Sequence, residues 1–202
     1  MTVEIGNIII AYLAPLTYID KLAGVVKSIT KTDLNTNNNP TKKIFPVACG
    51  ISYNECLNTG KYQDLIPNSN IGCMVYLEDS GVRLVGLKNG FNYWNASYKL
   101  VGWINQKKLG YDTCSITSQI IQEIISKFPE IPTNNGIFQQ VKIQVDAQDP
   151  KSFNPFSKYS YEEDKTQYLM FPFDYFSLNI TVSFAMNKKC LTPFITQTPL
   201  PC

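Results

Sequence analysis

Between residues 176 and 184 the chain alternates without a break. Leu178, Ile180, Val182 and Phe184 take every second position, and Ser177, Asn179, Thr181 and Ser183 fill those between. A period of two is the period of a strand, because successive side chains leave opposite faces of the pleat. This segment is satisfied as a strand with one face dry and the other wet. Such a strand needs neighbours for its backbone hydrogen bonds and a covering layer for its apolar face.

The rest of the chain offers both. Residues 137–145 alternate in the same way, with Val141, Ile143 and Val145 on one side and Lys142, Gln144 and Asp146 on the other. Within 91–106, Leu100, Gly102 and Ile104 share one face and Val101 and Trp103 the other, a pattern that predicts cover on both sides. Residues 24–33 and 43–51 read as a long hairpin across the polar tract 34–41, and Pro46 calls for an edge, a bulge or a strand start. Further strands are predicted at 73–78 and 82–87, joined by a tight turn at Asp79-Ser80-Gly81, with another turn at Lys88-Asn89-Gly90.

Two segments have helical spacing. In 3–22 it is carried by Ile5, Ile8, Ile9, Tyr12, Leu13, Leu16, Ile19 and Leu22, with Pro15 kinking or restarting the helix. In 115–128 it is a stripe of Ile116, Ile120, Ile121, Ile124, Ile125 and Phe128, capped by Thr113 or Ser115 and stopped at Pro129. Residues 147–170 show no period and form a long connecting arm, and 187–202, with Pro193, Pro199 and Pro201, read as an extended tail. The expected architecture is a single α+β domain over 1–186. It has a mostly antiparallel twisted sheet with helices packed on one face, a long β-hairpin and an extended C-terminal tail.

Composition removes most chemistries. The chain has no histidine, so imidazole-based triads, zinc sites and the commonest neutral-pH base are excluded. Arg83 is the single arginine among eighteen basic residues, and the net charge is only +2. Neither arginine clamps on phosphate nor tight nucleic-acid binding is expected. The six cysteines, Cys49, Cys56, Cys73, Cys114, Cys190 and Cys202, form no C-x-x-C pair and read mostly as buried free thiols of a reducing cytoplasm. Cys114 precedes a helix but has no histidine partner, and Glu162-Glu163-Asp164 reads as a solvated acidic run. Phosphate-binding glycine loops and nucleophile elbows are absent, and the apolar stretch 8–16 is too short for a membrane span. The expectation is a protein that is not an enzyme, carries no cofactor or metal and does not enter a membrane.

What remains is an excess of aromatic surface, with twelve Tyr and eleven Phe. Rings with an apolar body and a polar tip suit protein interfaces. Candidate interface residues are Phe91 and Trp94 in the aromatic run of 91–98, Phe153, Phe156, Tyr159 and Tyr161 in the arm, and Phe194 in the tail. An arm this aromatic makes sense docked on a neighbouring subunit.

The order of elements resembles a known family. It comprises the N-terminal helix, the hairpin GVVKSITKTD…KKIFPVACGI, the strand YKLVGWINQKK, the helix SITSQIIQEIISKFP, the strand FQQVKIQVDAQ and the ending YLMFPFDYFSLNITVSF. This combination is similar to the tail-terminator and tail-completion proteins of tailed bacteriophages and to related neck-ring subunits. The most suggestive piece is Pro172-Phe173-Asp174-Tyr175-Phe176-Ser177 ahead of the alternating strand. The resemblance implies a virion protein, assembled in the host cytoplasm, that self-associates into a six-fold or twelve-fold ring at the head–tail junction or tail. Its partners would be portal or connector, tail-tube or other ring proteins, with DNA passing through the lumen without specific contact. The alternative is a non-catalytic binding module or surface adhesin of a low-GC bacterium.

Overall fold

Pro15 ends the first helix rather than bending it. In the computed structural model, which describes residues 1–34, 40–48, 65–110, 116–149, 154–159 and 169–187, helix α1 spans Thr2–Leu13. Ala14 closes it by donating its N–H to the Ile10 carbonyl at 2.9 Å. Proline cannot donate that bond and its ring collides with the preceding turn. Leu16 and Ile19 then sit in single turns, and the first strand, β1 (Lys21–Leu34), begins where a longer helix was expected.

β1 pairs antiparallel with β2 (Pro40–Ala48) from Val26↔Ala48 to Leu34↔Pro40, which is the long hairpin. β2 lies at the sheet margin, the position in a sheet where a proline such as Pro46 is tolerated. The expected turn at Asp79-Ser80-Gly81 is instead a bulge inside one strand, β3 (Cys73–Lys88). Asp79 Oδ1 accepts the Gly81 N–H at 2.8 Å, and Gly81 has φ 112°, so one extra residue is absorbed without reversing the chain. The reversal comes at Asn89 and Gly90, with φ of 50° and 80°, as a two-residue hairpin turn into β4 (Phe91–Asn105) requires.

Helix α2 (Ile116–Ser126) follows, then β5 (Thr133–Asn135), β6 (Phe138–Gln148) and β7 (Phe173–Asn187). The sheet order is β2-β1-β3-β4-β7-β6-β5, with β1–β3 the one parallel pair. The short β5 was not foreseen. The expected helix caps at 113 and 115 and the hairpin loop at 35–39 lie outside the described residues.

Both helices cover the same face. Ile5, Ile8, Ile9 and Leu13 of α1 and Ile116, Ile120, Ile121 and Ile124 of α2 share one core with Val75, Leu77, Leu100, Ile104, Leu178, Ile180 and Val182. Gly102 faces this core, where a Cβ would overlap the Phe176 ring. The opposite face holds a second, smaller core around Met74, Tyr76, Val101 and Trp103. β4 is thus covered on both sides, as its two apolar faces predict.

Candidate assembly surface

The second core is closed by the arm. Phe156 and Tyr159 are only 1% and 7% exposed and pack on Met74, Tyr76, Val101 and Trp103. Phe156 meets Tyr175 edge-to-face with centroids 6.0 Å apart. Tyr159 donates its hydroxyl to Glu78 Oε1 at 2.7 Å, and Lys158 Nζ reaches Glu78 Oε2 at 2.5 Å. Burial, then the Glu78 charge, pushes the Tyr159 hydroxyl pKa far above its ordinary value, so it acts as a fixed donor. The expectation that Phe156 and Tyr159 face a neighbouring subunit is corrected: the arm, where described, seals its own sheet. Phe153, Tyr161 and Phe194 lie outside the described residues. Phe91 and Trp94 are half-buried on β4, and Trp94 packs against the helix-side core.

Beyond the arm the same face turns wet. Asp149 accepts from Ser177 Oγ at 2.7 Å and Asn179 Nδ2 at 3.0 Å and pairs with Lys99 Nζ at 2.7 Å. Burial raises its carboxyl pKa, but these partners outweigh burial and hold it below the ordinary carboxylate value. Thr181 Oγ1 donates to Asp146 Oδ2 at 2.5 Å. Hydroxyl and amide side chains of β7 thus tie β6 and the start of the arm to the sheet. An open cleft of about 700 Å³ lies further along, lined by Val85, Tyr93, Trp94, Gln140, Lys142 and Ser183 among others.

The surface that sequence reasoning missed is the far half of β3. β1 pairs with β3 only from Lys21↔Met74 to Val26↔Glu78. Past the bulge, residues 82–88 bond to β4 alone, with no strand on their outer side among the described residues. Leu84, Val85 and Leu87 are 47%, 59% and 60% exposed there, beside exposed Arg83 and Lys88. An unpaired strand that displays large apolar residues is a template for association. The run R-L-V-G-L-K was legible as a strand, but nothing local to it shows that its neighbour departs.

The two terminal strands of the sheet are blunted. β2 carries Pro40 and Pro46, and β5 is three residues long. Both are recognised devices against edge-to-edge pairing. Among the described residues no three acidic or cysteine side chains group as metal ligands, and no helix is long and apolar enough to cross a membrane. Cys73 is a buried free thiol whose pKa is pushed up to about 12 by burial and by Asp20. The other five cysteines and the acidic run 162–164 lie outside the described residues. No family model matches the chain, and no curated protein matches it.

Proposed function

We propose that this chain is a non-catalytic structural subunit that assembles into a homo-oligomeric ring of a phage virion, at the head–tail junction or the tail. The observation that supports the reading is the far half of β3, a strand margin bearing Leu84, Val85 and Leu87 with no outer strand among the described residues. The resemblance to tail-terminator and neck-ring subunits supplies the setting. In that role portal, tail-tube or other ring proteins contact the ring, and DNA passes its lumen without specific binding. A near-neutral chain with one arginine suits passage rather than capture.

Size-exclusion chromatography with light scattering, combined with electron microscopy of the purified chain, tests this. Closed rings, or incorporation at a tail or neck, are expected. A strictly monomeric chain at high concentration that joins no particle overturns it.

The second reading, a binding module, is favoured by the cleft beside Tyr93, Trp94 and Lys142. An exported module would carry disulfides, so thiol titration of the denatured, unreduced protein separates the two. Six free thiols favour the assembly subunit.

A further inference from the structure

The arm seals only part of the sheet face turned away from the helices. Further along that face lies the open cleft of about 700 Å³, and the register explains how it forms. Trp94, Ala96, Val182 and Phe184 belong to the helix-side core, so the residues alternating with them, Tyr93, Asn95, Ser183 and Ala185, face the other way. Residues directly opposite in a ladder point to the same side. Gly86, Tyr93 and Ala185 therefore form one row across β3, β4 and β7. Arg83, Asn95, Ser183 and Lys142 form the next, which reaches β6. Ala185 and Ser183 are small and make a low floor, and a Cβ on Gly86 would meet nothing within 4 Å. Val85, Tyr93, Pro132 and Lys142 line the cleft around that floor.

The second row carries the charge. Arg83 and Lys142 stand at its two ends, both exposed, and neither has an ion pair or hydrogen bond among the described residues. Three strand spacings put their backbones about 14 Å apart, so two long side chains can lean toward each other over Asn95 and Ser183. No acid lines the cleft. On the same face Glu78 is held by Tyr159 and Lys158, and Asp149 by Lys99. Asp146 accepts from Thr181. Its backbone is about 13 Å along the strand from that of Lys142, beyond the screening length of about 8 Å at physiological salt. Two cations, an amide N–H and a hydroxyl thus converge on one point. A phosphomonoester, with about two negative charges and three strong acceptor oxygens, matches that set. A carboxylate would leave one cation unmatched. Tyr93, in the adjoining row, presents a ring against which a second ring can pack.

We propose that this cleft binds a small phosphomonoester attached to a ring, with the phosphate over Asn95 and Ser183 between Arg83 and Lys142 and the ring against Tyr93. This rests on the cleft behind the binding-module reading, names its ligand, and is independent of ring assembly. A nucleotide and a sugar phosphate share the required chemistry.

Titration calorimetry of the full-length chain with uridine monophosphate, glucose phosphate, inorganic phosphate, uridine and glucose tests it. At least one phosphorylated ring is expected to bind more tightly than inorganic phosphate and than its own unphosphorylated form, and the preferred one identifies the source. R83Q and K142Q should each weaken that binding about tenfold, the loss of a hydrogen bond to a charged group. Tyr93→Ala should weaken it while leaving inorganic phosphate unaffected. Circular dichroism matching the wild type confirms that each variant is folded. Inorganic phosphate binding as tightly as the phosphorylated rings shows an adventitious ion only and overturns the proposal. Binding that R83Q and K142Q leave unchanged overturns it too. Uridine or glucose binding as tightly as its phosphate removes the phosphate site and leaves the binding-module reading standing. Binding of none of the five probes overturns the proposal, and thiol titration then decides the module reading by itself.

Discussion

The two halves of β3 belong to one strand and live in opposite surroundings. Residues 73–78 are buried throughout, flanked by β1 and β4 and covered by helices on one face and the arm on the other. Residues 82–88 keep β4 but lose β1, and most of them are exposed. Hydrophobic residues alone do not separate the halves, since one carries Met74, Val75, Tyr76 and Leu77 and the other Val82, Leu84, Val85 and Leu87. Neighbours do. An apolar side chain contributes to stability only when something covers it, so the near half stabilises the monomer and the far half has its apolar surface still to bury.

Truncation should expose this asymmetry most sharply. Leu77→Ala in the near half is expected to destabilise the fold by about 2–5 kcal/mol. Leu87→Ala in the far half should stay within ~0.5 kcal/mol in dilute monomer. Urea denaturation of both variants checks the pair, and comparable losses would dissolve the contrast.

Glycines give the next test. Gly102→Ala drives a methyl into the Phe176 ring and should cost roughly 1–3 kcal/mol. Gly86→Ala, in the far half with open space around its Cβ direction, should be close to neutral by the same melt.

The arm that closes the near half hangs on Glu78. Tyr159→Phe removes a hydroxyl donated to a carboxylate and should cost about 1.5–3 kcal/mol. It should also make proteolysis of the arm faster than in wild type.

The smallest expected effect is electrostatic. The Asp149 carboxyl has a folded pKa below its ordinary value, so its stabilising contribution is present above the ordinary carboxylate pKa. It is lost as pH falls through that range toward the folded value. Asp149→Asn should flatten this part of an acid titration of stability, and an unchanged profile would show that the Lys99 pair is inert.

Much of this fold was legible because its signals are local. The alternation of 178–184 and 141–145, the isoleucine stripe of α2 and the Asn89-Gly90 turn each report on themselves within a few residues. The failures share the opposite character. Asp-Ser-Gly serves a tight turn and a bulge equally well, and the choice depends on whether β4 continues alongside both flanks. The burial of Phe156 and Tyr159 depends on Met74, Tyr76 and Val101 and, for Tyr159, on Glu78, all far away in the chain, and no periodicity in 147–170 announces it. The exposure of Leu84 and Leu87 follows from β1 parting company after Val26, a fact about another segment altogether.

The bulge at Asp79–Gly81 sets the phase of the strand just beyond it. Val75 and Leu77 face the helices from odd positions, whereas Val82 and Leu84 do so from even ones, because Ser80 is taken up without a partner. Were Ser80 kept but paired, Leu84 would swing to the wet side and Arg83 to the helix side, since a single-residue slip inverts a strand. Deleting Ser80 would instead leave Val82 opposite Ala96 and Leu84 opposite Trp94, so the shortened strand would keep its greasy face and lose only the kink.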